Sequence, residues 1–200
     1  MKPMKLFFLS MTALCLLLSQ MARSEDSERT DRVLFYENFE DGDPKGWDLM
    51  GRGRAKVTTY AGNHSLNLSK KRSAQVVVPL EGFDRVDITM QMAAMSLKDN
   101  ESCRAELSLN QGKTWQTLLK VTPKMADGIT LHSKTARVKK TANLGEIMLR
   151  FIANGGGRAN CWGDNVEVLG RGLPIHERPS FRVWEGCESR KTGQVKSFCL

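Results

Sequence analysis

From Val33 to about Leu169 the apolar residues recur at every second position, and this alternation restricts the chain to β-structure more than anything else in it. Val86, Ile88, Met90 and Met92 point one way while Asp87, Thr89 and Gln91 point the other. Cys103, Ala105, Leu107 and Leu109 repeat the pattern against Arg104, Glu106 and Ser108, and Ile147, Leu149 and Phe151 repeat it against Arg150. Near the end, Trp162, Asp164, Val166 and Val168 read as one face. Turn sequences punctuate these runs: Asp41-Gly42-Asp43-Pro44, Ala61-Gly62-Asn63, Asp127-Gly128 and Asn154-Gly155-Gly156-Gly157. Leu107 to Leu119 reads as a hairpin closed by Asn110-Gln111-Gly112-Lys113, with Trp115 opening the return strand. No stretch beyond residue 24 has the roughly 3.6-residue period of an amphipathic helix. The expected fold is an all-β, antiparallel β-sandwich.

The N-terminus has a different character. Lys2 and Lys5 precede an apolar run from Leu6 to Leu18, and Ala22-Arg23-Ser24 sets small residues before Glu25. Residues 1–24 read as a signal peptide, because the run is shorter than the roughly 20 residues of a spanning helix. The mature protein is expected to be secreted or periplasmic and not membrane-spanning. Cleavage removes Lys2, Lys5 and Arg23 and no acid, so the formal charge of +8 on 200 residues becomes +5 on 176. It also removes Cys15 and leaves an even set: Cys103, Cys161, Cys187 and Cys199. Two disulfides are expected in an exported chain. Of the three connectivities, Cys103–Cys161 with Cys187–Cys199 is favoured, because the second pair closes a short local loop. Residues 25–32 read as a flexible leader, 33–170 as the sandwich domain, and 171–200 as a basic, disulfide-closed tail containing Trp184.

Several short motifs occur in a telling order. Asn38-Phe39-Glu40-Asp41-Gly42 is followed by Gly46-Trp47, then by Gly62-x-x-Ser65-Leu66-x-Leu68, and finally by Asp164-Asn165-Val166-Glu167-Val168. This order resembles the jelly-roll carbohydrate-binding modules with a galactose-binding-like sandwich, especially those for xylan and glucan. The same skeleton is similar to the MAM adhesion domains of cell-surface proteins. The resemblance implies a jelly roll over about Val33 to Leu169. It also implies a structural calcium ion (Ca2+) held by Glu40 and Asp164, with Asp41 or Glu37 nearby, since calcium requires several oxygen ligands.

Charge is unevenly placed along the chain. Glu25–Asp48 holds nine acids and three bases, whereas Leu49–Leu80 holds six bases and no acid. Thr122–Arg150 adds Lys124, Lys134, Arg137, Lys139, Lys140 and Arg150 against Asp127 and Glu146. Such blocks attract anionic polymers, but only Tyr60 lies among them as an aromatic, so sequence-specific nucleic-acid recognition is not expected. Tyr60 and Trp184 are the expected sugar-stacking platforms, and Trp47, Trp115 and Trp162 are expected in the core. By the resemblance, a polar sheet face would contact glycan, and the matching outward set is Asp87, Gln91, Arg104, Glu106 and Arg150. The leading expectation is a non-catalytic binding module for an anionic glycan. A protein–protein or adhesion module with a cell-surface partner is the alternative. The second alternative is a polysaccharide-cleaving enzyme using Asp87 and Glu106 as paired carboxylates on neighbouring strands.

Overall fold

The computed structural model describes residues 31–172 and 175–177. The expected signal peptide, Trp184, Cys187 and Cys199 lie outside the described residues. Eleven strands follow in order: β1 (Arg32–Glu37), β2 (Asp48–Gly51), β3 (Ala55–Tyr60), β4 (Asn63–Leu68), β5 (Arg72–Pro79), β6 (Arg85–Met95), β7 (Ser102–Ser108), β8 (Gln116–Val121), β9 (His132–Lys139), β10 (Glu146–Asn154) and β11 (Asn160–Gly170). The remaining described elements are two 3₁₀ turns, Pro123–Met125 and Ile175–Glu177. No helix among the described residues is long and apolar enough to cross a membrane.

The strands form two antiparallel sheets. One runs β3-β4-β11-β6-β9, with β1 also paired to β11, and the other runs β2-β5-β10-β7-β8. Every sequential run of alternating residues therefore has one face against the opposite sheet. Val86, Ile88, Met90 and Met92 are fully buried from the six-stranded side, and Ile147, Leu149, Phe151, Ala105 and Leu107 meet them from the five-stranded side. Leu109 lies beyond β7 and is 39% exposed, so the alternation ends one residue earlier than the sequence suggests. Trp47 is in the core as expected, stacked on Phe151 at a centroid distance of 5.5 Å and flanked by Phe39. Gly163 is required opposite this stack, since a Cβ there would lie 2.5 Å from the Phe151 ring.

Cys103 of β7 and Cys161 of β11 form the expected disulfide and join the two sheets inside the core. Their sequence separation of 58 removes about 4 kcal/mol of loop-closure entropy from the unfolded chain. Two expectations change. The sandwich begins earlier than Val33: Arg32 opens β1, and the Asp31 carboxylate accepts an N–H from Arg171 at 2.5 Å, so neither belongs to a leader. The reading of β11 as a single face also fails. Asn165 takes a left-handed conformation (φ 44°), and the register against β6 shifts between Asp164 and Glu167. Val166 and Val168 face the core, whereas Trp162 and Asp164 lie on the other side of the sheet from them. Trp162 is half-buried on that outer side and stacks on Tyr60 at 4.6 Å.

Candidate functional site

The outer face of the five-stranded sheet gathers charge, hydrogen-bonding groups and an aromatic ring on one rigid surface. Strand register places Asp48, Gln75, Arg150, Glu106 and Thr117 in a single row across its five strands. Glu106, between Arg150 and Thr117 in this row, is only 3% exposed. Arg150 donates to it from Nε at 2.8 Å and its Nη2 lies 2.6 Å away, while the Thr117 hydroxyl donates at 3.3 Å. Arg104 completes the cluster with Nε at 3.3 Å from Glu106 Oε1. A carboxylate this buried persists because cations surround it; a lone one would be strongly disfavoured.

Arg150 also reaches the other way. Its guanidinium carbon lies 3.7 Å from the centroid of Trp115, a cation–π contact. The loop before β8 delivers the indole to this position. Gln111 and Gly112 both have positive φ, and Ser108 Oγ accepts the Gly112 N–H at 2.9 Å. The Asn110 side chain accepts the Thr114 N–H at 2.8 Å, and the indole N–H of Trp115 donates to the Gly112 carbonyl at 3.0 Å. Trp115 is half-buried on this outer face, not in the core as expected. The sequence carried one signal for this: a tight turn followed at once by a strand must set that residue at the edge of the sheet.

At one end of the face two clefts meet. One, of about 580 Å³, is lined by Arg104, Lys120 and Lys124 among others, and the second, of about 270 Å³, by Lys71, Arg72 and Ser73. They share Arg104 and Asn154. The bases of two distant sequence blocks thus come together with those of β7 and β8.

The outward-pointing set expected from the sequence divides between the two sheets. Arg104, Glu106 and Arg150 belong to the five-stranded sheet, but Asp87 and Gln91 lie on β6 of the other. Asp87 accepts from Arg137 at 2.8 Å and from Arg171 at 2.7 Å. The Arg137 bond, with help from Arg171, holds its carboxyl below the usual aspartate range. Gln91 accepts from the Asn165 side chain at 3.0 Å. Asp87 and Glu106 are therefore not on neighbouring strands, and the two-carboxylate arrangement of a glycosidase is not formed by them. Tyr60 is 8% exposed beneath Trp162, so it is covered where an open platform was expected. Burial raises its phenol pKa, and the charge of Asp127 adds to this.

The expected calcium ligands Glu40, Asp41 and Asp164 each take part in hydrogen bonds within the protein. Among the described residues no group of three or more His, Cys, Asp or Glu side chains is placed to hold a metal. Glu40 accepts the His64 N–H, and Asp41 accepts the Asp43 N–H within its own turn. Asp164, 2% exposed, accepts from the Ser65 hydroxyl at 3.0 Å and the Asn165 N–H at 2.7 Å. Burial raises its pKa, with smaller contributions from the charges of Glu40 and Glu37.

No family model matches the chain, and no curated protein matches it. Solved structures do. The tandem CBM22-1–CBM22-2 domain of a Paenibacillus barcinonensis protein is 18% identical, with a TM-score of 0.52, over 68% of this chain and 49% of that one. The CBM22-1 xylan-binding domain from the same organism is 14% identical, with a TM-score of 0.51, over 71% of this chain and 97% of that one. The CBM22-1–GH10 modules of a Clostridium thermocellum xylanase, complexed with xylohexaose, are 12% identical, with a TM-score of 0.52, over 73% of this chain and 30% of that one. At these identities the likeness is one of fold. The chain is a jelly-roll β-sandwich of the kind found in the CBM22 carbohydrate-binding modules.

Proposed function

We propose that this protein is an exported, non-catalytic glycan-binding module whose acidic ligand lies along the outer face of the five-stranded sheet. The observation that carries this reading is the sequence of contacts Trp115–Arg150–Glu106–Arg104. An indole, two guanidinium groups and a buried carboxylate are held in fixed positions on a sheet, with the ring half open to solvent. Sugar rings present an apolar C–H face beside hydroxyl groups. An indole matches the first, and guanidinium, amide and hydroxyl groups match the second. Rigid strands keep the ordering cost of binding low. The basic clefts at the end of the face favour a polymer that carries negative charge. The CBM22 domain from P. barcinonensis, which binds xylan, shares the fold and is consistent with a glycan role.

Isothermal titration with neutral and acidic polysaccharides tests the reading. Trp115→Ala is expected to weaken glycan binding by about tenfold or more, the scale of one lost stacking contact, while the protein remains folded. Binding unchanged by this substitution, or no binding to any glycan in a broad array, rejects the proposal.

A further inference from the structure

The two clefts that meet at Arg104 bring together more positive charge than the protein neutralises. Their lining contains Lys71, Arg72, Arg104, Lys120 and Lys124 against the acids Asp99 and Glu101. Glu101 lines the larger cleft but is already engaged by the backbone: its oxygens accept the N–H groups of Lys98 at 2.8 Å and Gly156 at 2.6 Å. Arg72 donates to the neutral carbonyls of Leu49 and Gly51, so its charge has no carboxylate opposite it in these bonds. None of the three lysines is in an ion pair among the described residues.

The backbone under Lys71 is unusual as well. Lys70 and Lys71 carry the chain from β4 in one sheet to β5 in the other, and both have left-handed φ, 56° and 57°. Glycine or asparagine occupies such positions at lower cost, and two successive lysines are disfavoured there. The turn is braced from below. A Cβ at Gly53 would lie 1.7 Å from the Ser69 carbonyl oxygen, so only glycine permits this approach. Strained backbone held by its surroundings is a mark of sites where side-chain chemistry outweighs local stability.

We propose that the paired clefts form the subsite for the anionic substituent of the glycan, a uronate carboxylate or a sulfate ester. Lys71, Arg72, Arg104, Lys120 and Lys124 supply the charge. This inference rests on the glycan reading above and assigns the acid-recognising part of the same site. Trp115 and Arg150 receive the sugar ring, and the clefts receive its negative group. Arg104 belongs to both parts, since it contacts Glu106 and lines both clefts. Lysines suit this role because a flexible ammonium meets carboxylate and sulfate alike.

The full chain titrated with unsubstituted xylan, a polyuronate and a sulfated polysaccharide tests the assignment. Acidic polymers are expected to bind about tenfold more tightly than xylan in low salt, and this advantage is expected to disappear toward about 1 M salt. Preference for the polyuronate alone assigns the carboxylate, and preference for the sulfated polymer alone assigns the sulfate. The double variant Lys71→Gly with Lys124→Gln should abolish the advantage and leave the xylan titration unchanged. Lys71→Gly by itself should raise the melting temperature, because it relieves the turn. An acidic preference that survives the double variant, or none in the unaltered chain, overturns the subsite alone. Failure of all three polymers to bind overturns the glycan reading with it.

Discussion

Each outer face of the sandwich has a buried carboxylate held between two arginines, and the two clusters do different things. On the six-stranded sheet, Asp87 lies between Arg137 and Arg171, and Arg171 also donates to Asp31. That cluster ties the first described residue to the strand end after β11 and closes the sandwich. On the five-stranded sheet, Glu106 lies between Arg104 and Arg150, and Arg150 also covers Trp115. The Arg150 side chain is 21% exposed and that of Arg137 63%, so the second cluster is the more enclosed. The same ionic unit acts as a clasp when its far side meets another carboxylate. It holds an aromatic ring on the outer face, the surface proposed to take the ligand, when its far side meets that ring. What lies beyond the guanidinium decides the role.

The largest expected effect separates the two on stability alone. Asp87→Ala leaves Arg137 and Arg171 without their common partner and loosens Asp31. It should lower the unfolding free energy by about 3 kcal/mol, toward the low end for a broken buried pair because Arg137 is largely in solvent. Denaturant titration measures this, and glycan affinity should be unchanged. A parallel loss of affinity would show that the two faces are not independent.

Glu106→Gln should act on both properties. The variant keeps shape and some hydrogen bonding but removes the charge that aligns Arg104 and Arg150, at about 2 kcal/mol of stability. Affinity for glycan should fall with it, because Arg150, which covers Trp115, loses its anchor. Loss of stability with full affinity would reduce Glu106 to a packing role.

The smallest effect lies in the pH dependence of two aspartates on the six-stranded sheet. The Asp87 pKa is lowered from 3.8, chiefly by Arg137, so its contribution is complete above that value and is lost as pH falls through the folded pKa. The Asp164 pKa is raised from 3.8, chiefly by burial, so the folded state holds the proton more tightly. Stability from this group is complete below 3.8 and declines as pH rises through the folded pKa. Melting curves from pH 2 to 7 should show Asp87→Asn flattening the acid side. Asp164→Asn should gain over the unaltered chain near neutrality and converge with it in acid. A gain for Asp87→Asn at neutral pH would reverse the assignment.

Legibility in the sequence followed the range of the interactions concerned. The faces of β6, β7 and β10 were readable because a strand alternates side chains every residue, whatever it pairs with. Trp47 was readable as core from the motif it belongs to, and the pairing of Cys103 with Cys161 from the short separation of Cys187 and Cys199. The bulge at Asn165 was not readable, because one left-handed residue exchanges faces without altering the apolar content of β11. Trp115 was taken for core because a tryptophan beside a turn is ordinarily covered. Its position depends on Arg150, 35 positions along the chain, and on hydrogen bonds between residues 108 and 115.

By itself, then, the sequence determined an all-β antiparallel sandwich, the inward face of most strands, and the excess of positive charge after the acidic entry segment. These depend on periodicity and composition, which are properties of neighbouring residues. Only the tertiary structure decided which strands share a sheet. That choice separated Asp87 from Glu106, covered Tyr60, and joined Trp115, Arg150, Glu106 and Arg104 with lysines from three segments into one surface. Strand order is set by long-range closure of the chain around a common core, and alternation along each strand is identical for many such orders.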